Sequence, residues 1–295
     1  MDPVPKPDVT VIATSWTFAA LGTIFFALRI WCRKYRVGIL WWDDLVLGVS
    51  LIFVILSAAF TTAMFREGWS DTPVPRGRPV VFYLACGSCG AIAAAFGKTA
   101  YAMTLLRLTT DTWKRRLIWF FATSLNLVLW FGAVAVWCRF CEESPRFLSG
   151  GPYLPGRCWP EPFVVKVITF ATIYLGASHL ILALFPWAIV HNLQMQKKHK
   201  LGISTSMSAG ALTFGSNVVM LHSIFAILQT AEDNLTYSLA FHPVYFVGGP
   251  AISIIAQVVP VLRALFTNHD LKPKEGEKGH QVEPSAFRRG PPGQE

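Results

Sequence analysis

The sequence predicts an all-α fold: a seven-transmembrane helix bundle of receptor-like topology, with the N-terminus outside and the C-terminus cytosolic. Three observations predict it. Of 295 residues, 53% are hydrophobic and only 15% are charged, against about 25% charged in soluble domains. Long apolar runs, nearly free of acid and base, recur along the chain. Lys and Arg concentrate in alternate connections between those runs. A water-soluble domain of this size has too little interior to hide so much apolar surface. In a bilayer, a run of about 20 residues crosses the hydrocarbon as a helix and satisfies its backbone polar groups internally. A membrane barrel is excluded, because its strands alternate over about 10 residues and these runs do not.

Residues 1–8, "MDPVPKPD", are polar and Pro-rich and form a short outer N-terminus. The first span, Val9–Cys32, is too long for a signal-peptide core and reads as a signal anchor. The basic turn "RKYR" follows, and Asp43 and Asp44 precede the second span, Leu45–Phe65. The third span, Val80–Leu106, contains "GSCGAIAAAFG", a small-residue face suited to close helix packing. The fourth is Leu117–Trp137, the fifth Phe163–Val190, the sixth Ile203–Gln229 and the seventh Val244–Phe266. Residues 9–266 thus form one membrane domain. Residues 267–295 interleave acid and base with Gly and Pro, which predicts a disordered cytosolic tail. Trp41, Trp42, Trp137, Trp159 and Trp187 lie at span ends, where indole rings favour the bilayer interface.

Orientation follows from the bases. Arg29, Arg33, Lys34, Arg36, the bases from Arg107 to Arg116, those from Lys197 to Lys200, Arg263 and the tail supply 17 on one side; the other side carries 8, and Lys98 lies inside a span. The richer side is expected to face the cytosol. The net charge of +9 is then explained by topology rather than by nucleic-acid binding. Asn234 opens "NLT", an N-glycosylation sequon in an outside connection, with a chance match as the alternative. Cys138, Cys141 and Cys158 fall around the connection between spans four and five, where an oxidising lumen favours pairing. Cys158 would pair with Cys138 or Cys141, and a bridge from that connection to Cys86 or Cys89 in span three is the rival. Cys32, at the inner edge, is expected to stay a free thiol. A reporter fused after Glu295 should remain cytosolic. Glycosidase should shift the protein's mobility, and Asn234→Gln should abolish the shift. An epitope at Asp2 shielded from the outer side would reverse the orientation.

One base stands apart. Lys98 lies near the middle of "AIAAAFGKTAYAMTLLRL" (Ala91–Leu108). A lysine at mid-helix costs about 2.5–3.5 kcal/mol to insert. No acid lies at membrane depth, and Asp43 and Asp44 are nearest. Three readings stay open: the stem snorkels toward Asp44, the ammonium receives an anionic or carbonyl-bearing ligand, or a neutral amine is held by backbone carbonyls. Asn126, His179, Asn217, His222 and Gln257 are the other polar residues at depth. Interhelical hydrogen bonds, worth around 0.6 kcal/mol each, account for Asn126, Asn217 and Gln257. His179 is structural or, as a neutral imidazole, an acid or base. The ligand-binding candidates are therefore Lys98, His179 and Asn217, and the catalytic candidates Lys98, His179 and Tyr101.

No metal pair of HExxH type, zinc-spaced Cys/His set, nucleophile elbow or phosphate-cradling Gly loop occurs, so neither a metal nor a cofactor is expected. Membrane enzymes that depend on Mg²⁺ or on protonation hold acids at membrane depth, and this chain holds none. A cofactor-free cyclase or isomerase stays open. A receptor also stays open, although Asp-Arg-Tyr after span three and Asn-Pro-x-x-Tyr in span seven are missing.

Five stretches carry a resemblance. "RKYRVGILWWDDLVLG" resembles the basic loop and Trp-Asp-Asp start of span two in the fungal rhodopsin-like integral membrane proteins. "GKTAYAMTLLRLT" resembles that family's Lys-Thr-Ser and Leu-Leu-Arg signature in span three, and "WCRFC…PGRCW" its outer-loop cysteine pattern. "LALFPWAIVHNLQMQKKHKLGISTSMSAG" resembles the run joining spans five and six, and "PAISIIAQVVPVLRALF" the end of span seven. Together they cover about Phe18 to Phe266 in the family's order. The resemblance implies a seven-helix, receptor-like fold. It also implies kinship with receptor-like proteins of pathogenic filamentous fungi and with proteins encoded in secondary-metabolite clusters. It does not imply retinal, because a Schiff-base pigment needs a lysine in the last span and Val244–Phe266 has none. In the family pattern an Asp stands at the place of His179, a Lys or Arg at Met220 and a Glu at Gly249, while Lys98 is kept. The loss of three intramembrane charges points to a specialised member.

The expected function is that of a multi-pass membrane protein, of plasma membrane or endoplasmic reticulum, in a secondary-metabolite pathway with a catalytic or accessory role. The alternative is a G-protein-coupled-receptor-like sensor of a small apolar ligand. Expected partners are the lipid bilayer, a small apolar ligand or metabolite and, for a receptor, a G protein; nucleic acid is not among them. A transporter ranks third, since no internal repeat is visible.

Overall fold

The structure is a computed structural model of the chain and describes residues 8–36, 41–71, 78–108, 112–139, 161–190, 214–215, 217–225 and 239–267. Among the described residues the fold is all-α, with no strand. The helices are α1 (Asp8–Arg36), α2 (Trp42–Arg66), α3 (Arg78–Leu108), α4 (Thr112–Arg139), α5 (Glu161–Val190), α6 (217–225) and α7 (His242–Thr267), with a 3₁₀ turn at Trp69–Asp71. Six helices contain the predicted spans and run past them by up to five residues, while α6 lies inside the sixth predicted span. Asp8–Tyr35, Trp42–Arg66, Arg78–Leu106 and Thr112–Ala135 are each long and apolar enough to cross a membrane. Large apolar side chains also point outward, Phe120 at 65% exposure and Leu127 at 71% among them. Water would penalise such a surface and lipid does not. The chain is an integral membrane protein.

α3 is central and touches α2, α4 and α7, while α1 packs on α2 and α7, and α4 on α5. The shared core comprises Leu47, Val54 and Ala58 of α2, Ala93 and Ala100 of α3, and Val247, Ala251 and Ile254 of α7. In lipid, helices associate through close van der Waals packing rather than through hydrophobic expulsion, so small residues carry the contact. The α3 face reads this way. A Cβ on Gly90 would sit 2.7 Å from the Phe246 carbonyl oxygen of α7, and one on Gly87 3.3 Å from the Phe246 ring. Pro250 lacks the N–H that would normally bond the carbonyl four residues earlier, so the Phe246 carbonyl is left to face Gly90. Hydroxyls tie α2 to α3: Ser50 Oγ donates to the Ala93 carbonyl at 2.7 Å and Ser57 Oγ to the Cys86 carbonyl at 2.9 Å.

The two ends of the bundle are built differently. At one end Trp69 is buried and stacks on Tyr83 at 5.2 Å, and the Tyr83 hydroxyl meets His242 Nδ1 at 2.9 Å. Ser70 bonds Asp8, which ties the 3₁₀ turn to the start of α1. At the other end Arg29 and Arg33 of α1 meet Asp43 and Asp44 of α2. α1, α3 and α7 therefore run from the Trp69 end to the Arg29 end, and α2 runs back, the alternation expected of sequential spans.

Arg29, counted above with the loop bases, is 1% exposed and lies inside the bundle. Cys32, Cys86 and Cys89 are free thiols, so the rival bridge to span three is not formed. The Cys86 sulfur instead contacts Ser57 Oγ at 3.2 Å and Thr61 Oγ1 at 3.3 Å. Cys138 sits on α4. Cys141, Cys158, Asn234, Trp159, most of the N-terminus and the tail beyond Thr267 lie outside the described residues.

Candidate functional site

α3 places Lys98 in the interior. Successive helical residues turn by about 100°. Gly97, one residue earlier, has its Cβ position against Ser50 of α2, and its carbonyl accepts from Gln257 Nε2 of α7 at 3.2 Å. Thr99, one residue later, faces α4, where Asn126 Nδ2 donates to its hydroxyl at 3.0 Å. Lys98 thus lies on α3 between the Gln257 contact of α7 and the Asn126 contact of α4, and it is 6% exposed. Tyr101, one turn further, is half-buried against a cluster of Ala102 and Leu105 with Ile118 and Ala122 of α4. Lys98 and Tyr101 therefore share one strip of α3. The interhelical bonds expected of Asn126 and Gln257 are present.

The other candidates lie on α5 and α6. A Cβ on Gly176 of α5 would stand 3.7 Å from the Asn217 Cβ and 3.6 Å from the Phe214 ring, so Gly176 lets the two helices approach. Asn217 faces α5 at that point. His179 follows on α5 one turn beyond Gly176, with its side chain outside the described residues.

Next to the Lys98 region is a buried ion cluster. Arg29 donates from Nε to Asp44 Oδ1 and from NH2 to Asp43 Oδ2, both at 2.8 Å, and from NH1 to the Gln257 carbonyl at 3.0 Å. Arg33 donates to Asp44 Oδ2 at 2.6 Å, to Asp43 Oδ2 at 3.0 Å and to Asp43 Oδ1 at 3.2 Å. Thr104 Oγ1 of α3 adds a bond to Asp43 Oδ2 at 3.3 Å, and the Trp41 N–H one to Asp44 Oδ2 at 3.3 Å. All four carboxylate oxygens are engaged, and two arginines balance two carboxylates in formal charge. Both acids sit in the first turn of α2, where the helix dipole favours negative charge. Asp44, the acid toward which Lys98 was expected to snorkel, is thus taken up by Arg29 and Arg33. The sequence carried a signal for this cluster: two arginines four apart on α1, followed by adjacent acids at the start of α2.

Three buried polar atoms have no hydrogen-bond partner among the described residues: Ser15 Oγ, His242 Nε2 and Gln257 Oε1. His242, with Trp69, Tyr83 and Phe246, was not singled out from sequence, because the four residues are scattered over three chain segments. A groove of about 150 Å³ between α1 and α7, lined by Thr10, Val11, Thr14, Phe241, Val244 and Tyr245, is apolar. It is smaller than the usual 300–1,000 Å³ of a ligand site. A retinal Schiff base does not fit these residues: α7 contains no lysine, and Lys98 belongs to α3.

A family model described as the fungal rhodopsin domain matches residues 28–268. The match runs from the Arg29 turn of α1 to the end of α7, so it takes in the ion cluster and Lys98. No curated protein matches the chain.

Proposed function

Since this chain belongs to the fungal rhodopsin family of integral membrane proteins, we propose that it serves a secondary-metabolite pathway by holding a small, largely apolar metabolite at Lys98. The role is catalytic or accessory. One observation carries the reading: a lysine 6% exposed lies inside the bundle on α3, flanked by the Thr99–Asn126 bond to α4 and the Gly97–Gln257 bond to α7. In a low-dielectric interior an amine interacts strongly with an acidic or carbonyl oxygen. Tyr101, half-buried beside the Ala102, Leu105 and Ile118 cluster, is the apolar neighbour for the rest of such a molecule. His179 and Asn217, on α5 and α6, are the candidates for its far side.

A second reading, a sensor that engages a G protein, is favoured by the ion cluster. It joins α1, α2, α3 and α7 at the end where a receptor would be read. With Arg29 and Arg33 set aside as bundle residues, the bases still divide 15 against 8, so the cytosol remains the proposed side for that end. In that orientation Asn234 and the pair of Cys158 with Cys138 or Cys141 face the lumen or exterior. The membrane is the plasma membrane or the endoplasmic reticulum.

The test is Lys98→Met in a fungus that carries the gene. Methionine keeps the apolar stem and removes the charge. A lost charge-assisted contact is worth about 1.5–3 kcal/mol, so the pathway product should fall about tenfold or more while membrane abundance stays normal. A signalling output that falls while metabolites stay unchanged selects the sensor. Wild-type metabolites and signalling from a well-expressed Lys98→Met, His179→Leu double variant would overturn the ligand site.

A further inference from the structure

Gln257 of α7 is held at both ends. Its main-chain carbonyl accepts from Arg29 NH1 at 3.0 Å, inside the ion cluster. Its side-chain Nε2 donates to the Gly97 carbonyl of α3 at 3.2 Å and to the Ser253 carbonyl at 3.1 Å. The Gly97 carbonyl belongs to the same planar peptide group as the Lys98 N–H, so the two move as one unit. A Cβ on Gly97 would also lie 3.3 Å from Ser50 Oγ, so α3 is closely packed on α2 at this level.

Two further observations mark Gln257 as more than a static tie. It is 7% exposed, yet its Oε1 has no partner among the described residues. Buried acceptors without partners are rare and call for an explanation; a second arrangement in which the amide gains a bond is one. Three residues on, Pro260 supplies no N–H, so the Ala256 carbonyl loses its helical partner, as the Phe246 carbonyl does at Pro250, and α7 resists bending less here.

We infer that Gln257 couples the Lys98 site to the ion cluster. A change at Lys98 shifts the Gly97 peptide, the Gln257 amide follows it, and the Gln257 carbonyl loosens its hold on Arg29. This inference rests on the reading of Lys98 as the ligand site, and it adds how occupancy there is passed along the bundle. Thr104 offers a shorter route, because it touches Asp43 directly from α3. The test must separate the two.

The chain carries its own reporter. Cys32 is a free thiol, buried, one turn beyond Arg29 on α1. Cys86, free and buried in α3 toward the Trp69 end, is the internal reference. The full-length protein in native membranes is alkylated with a membrane-permeant maleimide, and each site is followed by peptide-resolved mass spectrometry. Lys98→Met should raise the rate at Cys32 about three- to fivefold over that at Cys86, the scale of one disturbed hydrogen bond. In a Gln257→Met background the same substitution should change nothing, a non-additive cycle. Gln257→Asn keeps an amide too short for Gly97 and should behave like Gln257→Met; it carries the test if the methionine variant does not accumulate. Additive effects, a parallel rise at Cys86, no response of Cys32 to Lys98→Met, or a coupling abolished by Thr104→Val but kept in Gln257→Met each overturn the inference. Normal metabolite and signalling outputs from Lys98→Met together with a non-additive cycle would sink the ligand site and leave the coupling standing.

Discussion

Arg29→Met should leave little folded protein in the membrane. Arg29 is 1% exposed and makes three directed hydrogen bonds, to Asp43, Asp44 and the Gln257 carbonyl. Removing it leaves Arg33 as the one arginine of the cluster for two buried carboxylates. Breaking a buried pair in this way costs about 3–5 kcal/mol, a large part of the roughly 5–15 kcal/mol that holds a domain together. Size-exclusion elution and thermal unfolding of the detergent-solubilised protein measure the loss. Restoring the formal balance with Arg29→Met plus Asp44→Asn should recover much of it. Arg29→Lys should not, because one ammonium cannot supply the three-way fork that a guanidinium presents. Wild-type elution and unfolding from Arg29→Met would mean that the cluster adds no stability.

The second large effect belongs to Gly90. Replacing a helical Gly by Ala ordinarily gains about 1 kcal/mol. Here the new methyl would stand 2.7 Å from the Phe246 carbonyl oxygen and 2.9 Å from its Cβ. A backbone atom cannot rotate aside, so α3 and α7 must separate. Overpacking of this kind costs about 1–3 kcal/mol, and Gly90→Leu should prevent assembly altogether. Gly249 on α7 is the matched control, since a Cβ there has nothing within 4 Å. Gly249→Ala should unfold at or above the wild-type temperature. Equal thermal stability of Gly90→Ala and Gly249→Ala would refute the close α3–α7 contact.

The sequence by itself determined the class of molecule and the course of its chain. Apolar runs of bilayer length have one stable backbone in lipid, so α1 to α5 and α7 were legible as helices, with ends displaced only where polar residues extend the helix past the hydrocarbon. The small residues of α3 were legible as a packing face, and Asn126 and Gln257 as interhelical donors, because a buried amide in lipid needs a partner. The identity of those partners was not legible. Arg29 reads as one more base of a loop, and its spacing from Arg33 ahead of two acids gains meaning only when α2 is laid beside α1 and Asp43 and Asp44 arrive within 2.8 Å of it. Trp69, Tyr83 and His242 look unrelated along the chain and stack only because α2, α3 and α7 end at the same level. Lys98 showed a charge in the wrong solvent. Only the packing of the helices decided that it lies between the α7 and α4 contacts of α3 and that Asp44 is taken up by two arginines. Helix formation depends on residues a few positions apart, which a sequence displays directly. The pairing of charges, amides and rings depends on which helices touch and how each is rotated, and that is decided by contacts between segments tens to hundreds of residues apart.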